Sequence, residues 1–229
     1  MSDIVIKTEK LTKIYKENSI EVKALSNVDL EIKKGEFSAI VGPSGSGKTT
    51  FLYVISGLDS ITSGKVFLSG KDISLMNKKE LSQFRRDHIG FIFQAYNLIP
   101  VLTVEENIEY IMLIQGVEKQ ERHRRVIEIL KEVGLEGYED RFPPKLSGGQ
   151  QQRVAIARAM VSNPSIILAD EPTANLDSKT GSELLDMMKR LNEEKGMTFL
   201  FSTHDKMIMD RAKRVITLRD GEIVDDNVK

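Results

Sequence analysis

A chain of 229 residues with 40% hydrophobic and 29% charged residues has the composition of a folded domain with a sizeable core, which excludes a disordered or fibrous protein. Its 33 basic residues against 34 acidic leave a net charge of −1, so nothing in the overall balance draws it to nucleic acid. There is no cysteine, hence no disulfide framework and no thiolate chemistry, and an intracellular protein is expected.

Met1 to Glu9 mixes polar and apolar residues without the apolar stretch of a signal peptide. No segment approaches the roughly 20 apolar residues needed to span a bilayer. If the protein works at a membrane, another chain is expected to do the crossing. Ile4 to Leu11 alternates loosely and predicts an edge strand, with Tyr15 at the end of the K-L-T-K-I-Y run. Ile20 to Leu25 and Val28 to Ile32 predict two more short strands, and Lys33-Lys34-Gly35-Glu36 a turn.

The apolar run Phe37 to Val41 then stops at Gly42-Pro43-Ser44-Gly45-Ser46-Gly47-Lys48-Thr49-Thr50, which fits the phosphate-binding P-loop pattern. Glycines let the backbone close around phosphates so that consecutive N–H groups point inward. The helix expected to begin near Gly47 aims its positive end at the same anion. Lys48 is placed to reach the β- and γ-phosphates and the Thr49 hydroxyl to ligate Mg²⁺. This much specifies a nucleoside triphosphate and leaves the use of its energy open.

Phe51, Leu52, Val54 and Ile55 suit a buried helix. Gly64 to Leu68 and Lys71 to Ile73 predict a hairpin around Ser69-Gly70, Lys78 to Asp87 a charged helix, and Ile89 to Phe93 a compact strand ending at Gln94. His88 and His123 lie in charged helical context, where solvated faces are expected. From Ala95 to about Ser162 the texture is helical: Val126, Ile127, Leu130 and Val133 recur at helical spacing before Gly134, and Gln151 to Met160 follows the break at Pro143-Pro144. Strands return at Ser165 to Ala169 and Thr198 to Ser202, with a helix striped by Leu184, Met188 and Leu191 between them. Alternating strands and helices predict an α/β fold with a largely parallel sheet in one domain spanning 1–229, the helical block near 95–162 being inserted into it.

Two further constellations carry chemistry. Ile166 to Ala169 runs into Asp170-Glu171, and ligands of an open α/β sheet sit at the carboxyl ends of strands. Asp170 would hold Mg²⁺, and Glu171 would act as the base toward the attacking water; a turn-capping role is the plain alternative. Leu146-Ser147-Gly148-Gly149-Gln150 is a second glycine-bearing loop ahead of a helix, again suited to phosphate. One chain has no obvious use for two such loops on one nucleotide, whereas two chains packed head to tail do.

That pentapeptide, with the P-loop and the Asp-Glu pair, resembles the ATP-binding-cassette (ABC) ATPases, and the resemblance runs from about Ile6 to Val224. It implies a P-loop NTPase (RecA-like) core, an N-terminal antiparallel β subdomain and an inserted α-helical subdomain. It also implies an ATPase that dimerises around two ATP and Mg²⁺. Gln94 resembles the glutamine that touches Mg²⁺ and the attacking water, and Tyr15 the aromatic that stacks on adenine. Ala174-Asn175-Leu176-Asp177 resembles the loop crossing the dimer interface, with Asp177 near nucleotide, and His204 the histidine that senses the γ-phosphate. Ser147, Gly148, Gly149 and Gln150 would meet the ATP held by the partner's P-loop.

Gly90 to Pro100 and Leu102 to Asn107 resemble the branch serving macrolide export, lipoprotein release and antimicrobial-peptide efflux. That branch usually has a proline where Glu109-Tyr110-Ile111-Met112 has none. The expected partner is an integral membrane permease, the expected place the cytoplasmic face of the cell membrane, and no nucleic acid is expected. A non-transport ABC ATPase, of DNA repair, translation or cell-division regulation, is the alternative. Tyr96, Leu98, Ile99, Pro100 and Leu102 are unusually apolar for a loop and are expected to line the groove for a permease helix.

Overall fold

The computed structural model describes residues 3–17 and 20–229; Met1 and Ser2 of the N-terminal segment lie outside the described residues. Two long strands, β1 (Ile4–Glu17) and β2 (Ile20–Lys33), precede the buried strand β3 (Phe37–Val41) and helix α1 (Lys48–Ile55). The hairpin β4 (Ser63–Leu68) and β5 (Lys71–Asp72), helix α2 (Lys78–His88) and strand β6 (Ile89–Ile92) follow. Helices α3 (Val104–Ile114), α4 (Lys119–Glu132) and α5 (Gly148–Met160) come next, then β7 (Ile166–Asp170), α6 (Ser178–Lys195) and β8 (Phe199–Thr203). The short α7 (Lys206–Arg211) leads to the hairpin β9 (Arg214–Arg219) and β10 (Glu222–Val228).

The strands form two sheets. One has the order β2-β1-β4-β5 and is antiparallel. The other has the order β10-β9-β3-β8-β7-β6 and is parallel except for β10. Every residue of β3, β7 and β8 is buried, including Ser38, Asp170, Ser202 and Thr203, as strands of a parallel sheet covered on both faces should be. One core cluster joins Phe37, Ile92, Phe199 and Phe201 to the helices. The second joins Ile40, Leu52, Leu168 and Leu200 to the antiparallel sheet.

Two local expectations are corrected. The first strand is not at an edge: β1 pairs with β2 on one side and with β4, which returns from far along the chain, on the other. The two short strands expected at 20–25 and 28–32 are the single strand β2. The break in their alternation is a bulge, where Asn27 takes a left-handed φ of 48° and its N–H donates to the Thr12 hydroxyl at 3.1 Å. The β4–β5 hairpin turns where expected, on Ser69 and Gly70, both left-handed.

Helix α5 starts at Gly148, earlier than the expected Gln151, because Ser147 and Gln150 form a capping box that draws both glycines into its first turn. Its far end lies close on β6: a side chain at Gly90 would put a Cβ 2.1 Å from the Ala159 carbonyl oxygen. His123 is exposed and bonded to Glu105, as expected of a solvated face. His88 is not on one. Its ring packs against Phe84 with Nδ1 3.1 Å from the Ser165 hydroxyl, and burial pushes its pKa down.

Candidate functional site

Because β3, β8 and β7 are parallel neighbours, their carboxyl ends bring Gly42, Thr203-His204 and Asp170-Glu171 to one edge of the sheet. At that edge the P-loop fits where larger residues could not. A Cβ on Gly42 would lie 2.1 Å from the Leu218 carbonyl oxygen, and one on Gly47 2.4 Å from that of Ala24. Pro43, Ser44 and Gly45 form the exposed rim, and the buried Ser46 hydroxyl has no partner among the described residues. Lys48 is 8% exposed and curls over the loop, donating from Nζ to the carbonyls of Gly42 at 2.9 Å and Pro43 at 3.0 Å. Its charge therefore stands at the mouth of the cradle.

Beneath it, the Thr49 hydroxyl donates to Asp170 Oδ1 at 3.1 Å, so a hydroxyl and a carboxylate face one another. Burial pushes the Asp170 carboxyl above its ordinary range, against the hydrogen bonds that favour its charge. Glu171 has a left-handed φ of 45°, rare for a residue with a side chain. Its N–H donates to the Ser202 carbonyl at 2.9 Å. Its Oε1 lies 2.7 Å from His204 Nδ1, and its Oε2 accepts from the Thr203 hydroxyl at 3.1 Å.

Tyr15 reaches the neighbourhood of α1 from β1, with Thr50 beside its hydroxyl. That hydroxyl donates to Asp59 Oδ2 at 2.7 Å. Lys13 donates to Asp59 Oδ1 and to the Ser60 carbonyl, each at 2.7 Å, and its Nζ stands 4.7 Å from the Tyr15 ring centroid. Tyr15 as a whole is 41% exposed. Sequence reasoning missed Lys13 and Asp59. The period of two in a strand puts Lys13 on the face of Tyr15, which was a usable signal; Asp59, brought from a loop, offered none.

Gln94 is exposed, and its carbonyl accepts from Asn175 Nδ2 at 2.8 Å. Among the described residues its side chain makes no hydrogen bond to Thr49 or Asp170, so the structure does not gather these three. The second glycine loop forms a separate group. The Ser147 hydroxyl accepts from the Gln150 N–H at 3.3 Å, and Gln150 Oε1 accepts from the Ser147 N–H at 3.0 Å. A Cβ on Gly149 would lie 2.4 Å from Thr180 Cγ2, and one on Gly148 2.8 Å from the Tyr96 hydroxyl. Asp177 caps α6: Oδ1 accepts from the N–H groups of Lys179 and Thr180, and Oδ2 from the Thr180 hydroxyl at 2.6 Å. Among the described residues no hydrogen bond joins this group to the P-loop.

A glycine cradle with its lysine, a hydroxyl–carboxylate pair and a carboxylate–imidazole pair at adjacent strand ends define a P-loop nucleoside triphosphatase. The family profile of ABC transporters matches residues 25–174, and the chain belongs to this family, as an ATP-binding ATPase. It is 50% identical over 201 residues to the ABC transporter ATP-binding protein YtrE of Bacillus subtilis, covering 88% of this chain and 87% of that one. It is 44% identical over 225 residues to the macrolide export ATP-binding/permease protein MacB of Mannheimia succiniciproducens, covering 98% of this chain and 35% of MacB. The dimeric post-hydrolysis structure of the Methanocaldococcus jannaschii ATP-binding cassette MJ0796, bound to ADP and Pi, superposes with a TM-score of 0.89. That match is 46% identical and covers 97% of this chain and 98% of the other.

Proposed function

We propose that two copies of this chain close head to tail around two ATP molecules and Mg²⁺, and that hydrolysis drives a separate membrane permease of the export or lipoprotein-release kind from the cytoplasmic face. The observation that carries this reading is the alignment of Lys48, Thr49–Asp170 and Glu171–His204 along the ends of three adjacent strands. The residues present suit the ligands. Lys48 sets its ammonium against the loop carbonyls of Gly42 and Pro43, and the loop closes tightly because Gly42 has no Cβ to strike the Leu218 carbonyl and the Ser46 hydroxyl. Thr49 and Asp170 offer the oxygen donors that a hard cation takes. Bound Mg²⁺ would neutralise phosphate charge, and Gln94 would join its ligands as the site closes.

In this reading Lys48 and the backbone N–H groups of residues 44–50 bind and orient the phosphates. Glu171 Oε accepts the proton of the attacking water. His204, bonded to Glu171 Oε1, fixes the direction of that carboxylate and faces the terminal phosphate. Tyr15 stacks on the base. From the opposite chain, Ser147, Gly148, Gly149 and Gln150 present the N-terminus of α5 to the same phosphates, and Asp177 holds α6 beneath them. The MJ0796 cassette is dimeric with hydrolysis products bound, which supports the assembly. Residues 95–162 act within the single domain as the helical unit that carries α5 toward the partner.

Permease docking belongs to a groove of about 420 Å³ lined by Leu58, Phe91, Phe93, Ile111 and Ile114. In the loop after Gln94, Leu98 packs on the core and Tyr96 lies against Gly148, while Ile99 and Pro100 are exposed. No helix among the described residues is long and apolar enough to cross a membrane, and MacB joins its ATP-binding part to a permease under one name. Glu171→Gln tests the chemistry. ATP should still bind while hydrolysis falls by about 10²–10⁴; hydrolysis at the wild-type rate would reject Glu171 as the base.

A further inference from the structure

Gln152, on α5, is fully buried, and among the described residues its side chain makes one hydrogen bond, from Nε2 to the Pro172 carbonyl at 2.8 Å. Its Oε1 is buried without a partner among the described residues. Only the donor end of this buried amide is used: an apolar residue of the same length would remove the orphaned acceptor but leave the buried Pro172 carbonyl without its bond. Its one bond is spent on the residue after Glu171, and Glu171 is the strained residue of the turn.

That strain persists only where the surroundings fix the backbone. Three bonds do so. The Glu171 N–H donates to Ser202 of β8, the Thr173 hydroxyl donates to Asp205 Oδ2 at the start of α7, and the Pro172 carbonyl accepts from Gln152. Only the last comes from the helix whose N-terminus carries Ser147 and the two glycines. Gln152 lies five residues beyond Ser147, about 7.5 Å along the helix axis. A shift of α5 when its N-terminus engages phosphate is therefore delivered to the Glu171 turn through one rigid helix and one bond.

We infer that Gln152 is a positioning residue that links the two sites of the dimer: the nucleotide gripped by a chain's Ser147 loop sets the geometry of that same chain's Glu171, which serves the other nucleotide. The inference rests on the reading of Glu171 as the base and of Ser147 as facing the partner's ATP.

Gln152→Met in the full chain keeps length and burial and removes the donor. Expected are a melting midpoint within about 4 °C of wild type, since the Pro172 carbonyl loses its donor, an unchanged affinity for fluorescent ATP, and single-turnover hydrolysis slowed on the order of 10–100-fold. Cooperativity in ATP should fall, with a Hill coefficient moving toward one. Thr173→Val releases the turn from the α7 side, so it should slow hydrolysis while leaving cooperativity in place. Wild-type hydrolysis in Gln152→Met overturns the inference, as does a joint fall of rate, affinity and melting midpoint, the pattern of a packing defect. Slowed hydrolysis with full cooperativity overturns the link between sites. Wild-type hydrolysis in Glu171→Gln would instead remove the reading on which the inference stands.

Discussion

Asp59→Asn perturbs the support of Tyr15 with little change of shape. Asp59 accepts hydrogen bonds from Lys13 and the Ser60 N–H on Oδ1 and from Tyr15 on Oδ2, and the side chains of Lys13 and Asp59 are 8% and 28% exposed. Asparagine can keep an acceptor toward Lys13 but loses the charge, and charge-assisted bonds are roughly twice as strong as neutral ones. With the bond to the Ser60 carbonyl retained, the loss should be about 1–2 kcal/mol at pH 7, or about 2–8 °C in Tm. Burial opposes ionisation of Asp59, but the bonds from Lys13, Tyr15 and the Ser60 N–H, with the Lys13 charge, together outweigh it and hold the carboxyl below its ordinary value. Its stabilisation is therefore complete above the unfolded pKa of about 3.9 and is lost as pH falls through the lower folded value. Urea denaturation of wild type and variant should show a constant gap between pH 5 and 8 that narrows below about pH 4. A gap under about 0.5 kcal/mol at pH 7, or one that stays constant down to pH 3, would refute the reasoning. Binding of fluorescent ATP should weaken as well, since the ring loses its tether.

Gly149→Ala should cost about 1–3 kcal/mol by forcing a Cβ against Thr180 Cγ2, and adding Thr180→Ser should recover most of it in thermal unfolding while keeping the hydroxyl bond to Asp177. Leu58→Glu and Ile114→Glu, both on exposed groove positions, should leave the ATPase of the purified chain within about twofold while abolishing stimulation by the permease in proteoliposomes. Equal losses in both assays would show that these residues serve the fold.

The P-loop strand, the Asp-Glu strand and the strand before His204 were legible because a buried parallel strand reads as an unbroken apolar run ending at polar residues. Their lateral order was not in that pattern, so the meeting of Thr49 with Asp170 and of Glu171 with His204 had to come from the sheet. The position of β1 was misjudged for a related reason. Its second neighbour, β4, arrives after the whole P-loop and α1, and local alternation carries no record of a non-local partner. The β2 bulge was hidden because Asn27 interrupts the period without ending the strand. The capping box at Ser147 was readable from its S-x-x-Q spacing, yet the adjacent glycines argued for a loop. The burial of Gln152 could not be read from sequence, since glutamine is ordinarily exposed.

The central claim is that one ATP is held by Lys48's loop from one chain and Ser147's loop from its partner. Because the chain has no cysteine, single cysteines can report on this directly. Ser44→Cys, on the exposed P-loop rim, and Ser147→Cys would be placed in separate preparations of the Glu171→Gln chain. The two would then be mixed and treated with a bismaleimide of about 10 Å reach, with and without ATP. A cross-linked dimer that forms with ATP, joins the P-loop chain to the Ser147 chain, and disappears with ADP is the predicted result. A product that forms equally without ATP, or that joins only like chains, would contradict the shared site.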